Sequence, residues 1–193
     1  MVAKFYVIFG NRSYCMSRIG KLPIKVPENV YIVFDGSKIT VKGKFGTLHD
    51  TIPDALAIEQ NDGTLIVDLK NNSRSSRALH GLYRTLINNM VIGVSEQFTI
   101  ILNLQGVGYR AVVQGKTVVL NLGYSHQVIM DIPEAISVEV TQNTKLTLKG
   151  CNKAELGLFA ANIRSWRPPE PYKGKGIIYD GEIVRRKASK SGK

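Results

Sequence analysis

Cysteine and histidine are scarce in this chain. Its 193 residues hold two cysteines, Cys15 and Cys151, and three histidines, His49, His80 and His126. Two thiols in unrelated surroundings build no disulfide framework and suit a reducing compartment. Scattered histidines, with no Cys, Asp or Glu at ligand spacing, argue against zinc. No apolar run reaches the length of a bilayer-spanning helix. Acidic residues are few as well. Fifteen Asp and Glu stand against twenty-six Lys and Arg, a formal net charge of +11.

What is present is an apolar share of 44%, enough for one medium domain or two small ones. The positive charge is concentrated. From Arg164 to Lys193 there are nine basic and three acidic residues, against seventeen and twelve in everything before. A mildly charged body with a strongly basic end suits a polyanion, either nucleic acid or an acidic membrane surface. Residues 1–15 are read as an N-terminal extension outside the fold, either an accessory segment, the product of an upstream start or a targeting remnant suggested by Lys4, Arg12 and Ser13 without acids. Phe5-Tyr6-Val7-Ile8-Phe9 is too short for a secretory core, and Met16-Ser17-Arg18-Ile19-Gly20-Lys21 offers a second start.

The chain repeats itself. Alternating apolar residues mark strands at Lys38-Ile39-Thr40-Val41-Lys42, Thr47 to Ile52, Ala57 to Glu59 and Thr64 to Leu69, with Asn61-Asp62-Gly63 as a hairpin turn. The period then changes. Leu79, Leu82, Tyr83, Leu86 and Ile87 predict one stripe of a helix from Arg74 to Met90, capped by Ser73 and stopped by Gly93. Strands at Phe98 to Leu102, Tyr109 to Val113, Val118 to Leu122, Gln127 to Ile132, Ser137 to Val140 and Lys145 to Leu148 follow, then a helix from Lys153 to Trp166. Ile52-Pro53-Asp54-Ala55 recurs as Ile132-Pro133-Glu134-Ala135, and Gly81-Leu82-Tyr83 as Gly157-Leu158-Phe159. The reading is α+β: two tandem similar units, each a mostly antiparallel sheet with one helix, plus an extended basic tail. The boundaries are 16–94, 95–167 and 168–193. Each unit is small, so docking of one on the other to enlarge the core is expected.

Catalytic lookalikes fall away. Gly106-Val107-Gly108-Tyr109-Arg110-Ala111 has dinucleotide-fingerprint spacing, but Val112-Val113 continues in strand period where a helix is required. Gly115-Lys116-Thr117 imitates a P-loop end, yet Arg110 stands at the partner glycine's position. Ser125-His126 has no carboxylate to orient the imidazole. No catalytic residue, cofactor or metal is expected.

The chemistry lies at the end. Pro168, Pro169 and Pro171 stop the helix and hold the chain extended. Lys173 and Lys175 flank Gly174, and Gly176 follows, so ammonium groups alternate with positions where backbone can approach a phosphate. Tyr172 offers a ring for a base or sugar. Arg164, Arg167, Arg185, Arg186 and Lys187 complete the candidate phosphate ligands, and Lys190 and Lys193 extend the basic run. A segment with so little apolar content is expected to order only on RNA. The alternative from another class is a membrane-surface adaptor.

Pro169-Glu170-Pro171-Tyr172-Lys173-Gly174-Lys175-Gly176-Ile177 resembles the signature of the bacterial-type large-subunit ribosomal protein L-six family. The resemblance takes in Met16 to Ile24, Met90 to Val94 and Gln105 to Ala111. His80 to Leu86 and Gly181 to Lys187 look most like its cyanobacterial and plastid branch. It implies a non-enzymatic constituent of the large ribosomal subunit, binding 23S-type rRNA near the base of the factor-binding stalk and the sarcin–ricin region. The partners implied are large-subunit rRNA and neighbouring ribosomal proteins, with translational GTPases served indirectly and no membrane or small-molecule substrate. The location implied is the ribosome of the plastid stroma, otherwise of the bacterial cytoplasm.

Overall fold

The computed structural model describes residues 18–61 and 63–188. The extension, Met16, Ser17, Cys15, Asp62, Lys190 and Lys193 lie outside them. The elements, in chain order, are β1 (Ile24–Lys25), β2 (Tyr31–Asp35), β3 (Lys38–Gly43), β4 (Gly46–Thr51), β5 (Leu56–Asn61), β6 (Thr64–Leu69) and α1 (Arg74–Glu96). Then come β7 (Phe98–Gln105), β8 (Arg110–Gln114), β9 (Thr117–Asn121), β10 (Val128–Asp131), β11 (Ile136–Thr141), β12 (Lys145–Gly150), α2 (Lys153–Trp166) and β13 (Gly176–Tyr179).

Alternation in sequence becomes alternation in burial. Ile39 and Val41 of β3 and Leu146 and Leu148 of β12 are fully inside, while their neighbours face outward. The first unit holds two three-stranded antiparallel sheets in the orders β1-β6-β5 and β2-β3-β4. The second repeats them as β7-β12-β11 and β8-β9-β10, with β13 added outside β7. Strand for strand, the order is duplicated. The echoed tetrapeptides do the same job in both units. Ile52 N–H donates to Ser37 O at 2.6 Å and Leu56 N–H to Pro53 O at 3.0 Å. Ile132 N–H donates to Lys116 O at 2.8 Å and Ile136 N–H to Pro133 O at 3.0 Å.

Each helix covers its own unit. Ser73 Oγ accepts from Ser76 N–H at 3.0 Å, and Asn152 Oδ1 from Ala154 N–H at 3.0 Å, so both N-termini are capped. The buried stripe of α1 differs from the expected one. It runs through Ser76, His80, Ile87, Met90, Val91 and Val94, with Tyr83 partly buried, while Leu82 is exposed. Apolar counting skipped Ser76 and His80. The first is held at the cap, and His80 Nε2 donates to Val67 O at 2.7 Å inside the core.

Gly93 does not stop α1, which runs on to Glu96 and ends at Gln97 with φ 62°. Its glycine has another cause. A Cβ there would collide with the carbonyl oxygen of Cys151, at the turn from β12 into α2. The same junction is closed by Phe45 N–H donating to Val94 O at 3.2 Å and by the buried Cys151 Sγ–H donating to Phe45 O at 3.2 Å. The expectation of one enlarged core is corrected here. The apolar residues form two separate clusters, one around Ile39, Leu65 and Ile87, the other around Leu102, Leu148 and Ile163. What joins the units at this turn is close backbone contact and hydrogen bonding.

Candidate nucleic-acid interface

The prolines end α2 as expected, but the chain beyond them does not stay extended. Ile177 N–H donates to Arg167 O at 2.9 Å, Glu170 N–H to Lys175 O at 2.8 Å, and Gly174 N–H to Glu170 O at 3.1 Å. Residues 170–175 therefore form a closed loop on a neck made by Arg167 and Ile177. Gly176 sits in that neck at φ 142°, where a Cβ would lie 2.6 Å from Pro168 O and 2.7 Å from Pro169 Cα. Its bareness is used by the chain itself. Replacing Gly176 by Ala should therefore cost about 1–3 kcal/mol in strain and overpacking. Urea unfolding of the variant checks this, and a midpoint equal to the parent's would show that the neck yields freely.

Beyond the loop, β13 pairs antiparallel with β7, Gly176 opposite Gln105 and Tyr179 opposite Leu102. Ile177 is completely buried against the second core. Ile177 and the buried Ile178 thus anchor the loop from behind, and the expected mobility is replaced at residues 176–179 by a strand. After a turn at Gly181, Glu182 reaches back. One carboxylate oxygen accepts from Arg164 Nη2 at 2.8 Å and the other from Tyr179 N–H at 3.2 Å. Arg164 also lies 5.0 Å from the Tyr179 ring. The chain then passes over the loop, where Lys187 N–H donates to Pro171 O at 2.9 Å. The Arg186 guanidinium sits across the α-carbon of Gly174, 3.0 Å from where a Cβ would be.

Two basic motifs ten residues apart in sequence thus share one surface. Lys173, Lys175, Arg185, Arg186 and Lys187 are all exposed there, and so is Tyr172. Among the described residues, none of those five cations forms an ion pair. Like charges held this close repel, and an anion binding among them relieves the repulsion. The other candidates are placed differently. Arg164 is half-buried and paired with Glu182, which makes it a clamp on the returning chain. Gly174 is covered by Arg186, and Gly176 faces the prolines. Arg167 is exposed, donates from Nε to the Tyr109 hydroxyl at 3.1 Å and lies 5.4 Å from the Tyr124 ring. The hydroxyls of Tyr124 and then Tyr109 raise its pKa above the ordinary arginine value, so it remains a cation at any working pH.

Comparison with known proteins meets this geometry. A family model described as Ribosomal protein L6 matches residues 26–97 and 105–180. The chain belongs to the ribosomal protein L6 family. The Large ribosomal subunit protein uL6c of Trieres chinensis is 74% identical over 178 residues, covering 92% of this chain and 99% of that protein. The uL6c of Phaeodactylum tricornutum is 67% identical over 178 residues, covering 92% of this chain and 100% of that protein. The uL6 of Gloeothece citriformis is 53% identical over 178 residues, covering 92% of this chain and 99% of that protein. These similarities agree with the plastid and cyanobacterial branch of the L6 family.

The second L6 match reaches Asp180, so it includes the loop and β13 and stops short of Arg185. The lookalikes resolve structurally. Gly106 and Gly108 form the turn from β7 to β8, with Gly108 at φ 78°. Gly115 at φ 60° makes the turn between β8 and β9. His126 stacks on Tyr124, ring centroids 5.8 Å apart and planes 20° from parallel. Sequence reading missed Tyr109 and Tyr124. They stand far from the basic end in sequence, and only the fold brings them to Arg167.

Proposed function

We propose that this chain binds large-subunit, 23S-type rRNA through the surface made by Tyr172, Lys173, Lys175, Arg185, Arg186 and Lys187. It is a ribosomal protein of the large subunit, with a structural and not a catalytic part, in the ribosome of a plastid or a bacterium. One observation carries the rRNA-binding surface. The bond from Lys187 to Pro171 folds a second basic motif onto the first and leaves five cations without carboxylate partners among the described residues. Phosphates supply the affinity of such a surface, and the shape of folded RNA supplies the specificity.

In this reading the second unit, 95–167, and its C-terminal segment, 168–193, fix rRNA tertiary structure near the base of the factor-binding stalk and the sarcin–ricin region. Neighbouring large-subunit proteins are further partners, and translational GTPases benefit indirectly. The test is binding of the full chain to a transcript of the 3′ part of large-subunit rRNA, compared with vesicles of phosphatidylglycerol. Saturable RNA binding with a steep salt dependence, and none to vesicles, is expected. Equal retention on both surfaces would mean that the patch is only a generic cation cluster.

A further inference from the structure

Beside the patch lies a cleft of about 390 Å³ lined by Tyr109, Tyr124, Trp166, Arg167, Glu170 and Lys175. Its walls differ in kind from the patch. Trp166 is 44% exposed and Tyr124 40%, so both rings offer open surface at the cleft. The cleft is also built. Tyr124 Oη donates to Trp166 O at 2.5 Å, which fixes the tyrosine loop to the end of α2. His126 stacks on Tyr124 and Arg167 lies over the same ring, so flat groups are already layered there. Glu170 has no salt-bridge partner among the described residues, although it stands among cations. Its backbone is bonded to Lys175 O, which sets both side chains at the cleft mouth.

We propose that this cleft holds one unstacked nucleotide of the RNA, a reading that rests on RNA being the ligand of the patch. The base stacks on the exposed aromatic and guanidinium faces. Lys175 takes the phosphate of that nucleotide, joining cleft to patch. The Glu170 carboxylate accepts from N–H groups on the base edge, which selects a base with an exocyclic amine and disfavours uracil. A carboxylate makes no sense as a phosphate ligand. It makes sense as a reader of base edges, and this gives the L6 surface a sequence-reading point inside an otherwise phosphate-directed patch.

Trp166 is the chain's only tryptophan, so its emission reports the cleft directly. The full chain is titrated with the large-subunit rRNA transcript while filter retention and Trp166 fluorescence are followed together. Quenching is expected to track retention with the same midpoint, and acrylamide access to Trp166 to fall. Glu170→Gln keeps the side-chain shape but replaces one acceptor oxygen and the charge by an NH2 donor; it should weaken retention about tenfold with the salt slope unchanged, because a base contact and not a phosphate contact is weakened. His126→Ala, which strips a layer from the stack, should reduce quenching while thermal unfolding stays near that of the parent. Retention with unaltered Trp166 emission and acrylamide access would overturn the cleft proposal and leave the patch reading standing. No retention at all would overturn both.

Discussion

Replacing Lys173 and Lys175 together by Ala should lower affinity for the rRNA transcript on the order of a hundredfold at low salt, if each charged contact is worth about 1.5 kcal/mol. The diagnostic quantity is the salt dependence. Each phosphate contact releases a fraction of a counterion, so the slope of log affinity against log salt should flatten by about 1.4 to 1.8. The fold should survive the change. Both lysines are exposed and form no ion pair among the described residues, and the loop is closed by the backbone bonds at Glu170 and Gly174. Thermal unfolding should therefore move little, which separates lost contacts from lost structure. A parent-like slope would remove this loop from the interface. If affinity falls without flattening, the lysines act through the arrangement of Arg185 to Lys187 and not on phosphate.

The Gly93→Ala variant should go against the ordinary rule for helices. In a helix interior that change usually stabilises by up to about 1 kcal/mol, because alanine loses less freedom on folding. Here the added methyl meets the Cys151 carbonyl, a backbone atom that cannot rotate away. The expected result is destabilisation of about 1–3 kcal/mol, with the two units prised apart at this turn. Cys151 gives a second readout, since its thiol is buried and bonded to Phe45 O in the same junction. In a Cys15→Ser background, labelling of Cys151 should speed up in the variant. A rise in stability with unchanged labelling would mean that the junction is slack.

Much of this architecture was legible, and for a definite reason. A strand with one buried face must alternate, so Ile39 and Val41, or Leu146 and Leu148, announce themselves without any partner in view. The start of α1 was equally plain, because the Ser73 hydroxyl accepts from the N–H of Ser76 in the first turn. The end of α1 was not. Gly93 reads as a stop when judged locally, and only the turn at Cys151, far along the chain, explains it. The C-terminal segment failed in the same way. Its prolines, glycines and charges describe an open chain, and the pairing with β7 that anchors it is long-range. The missed signal was Ile177-Ile178-Tyr179, a short apolar run of strand-forming residues within the polar segment. Residue types were therefore readable at the candidate interface, while their company was not. Arg164 is chemically identical to Arg186, yet a single carboxylate, Glu182, turns it inward.

The pairing of β13 with β7 also bears on how the protein meets its partner. A loose basic arm would lose its freedom at the moment of docking, and that loss would subtract from every contact made. Here Gly176–Tyr179 of the arm are already paired with β7, so that part of the ordering precedes the proposed RNA contact. On the proposed RNA-binding reading, recognition is guided by charge at long range and decided by fit at short range. Such a surface arrives ready, and its capture rate should depend on ionic strength far more than on any rearrangement of the chain.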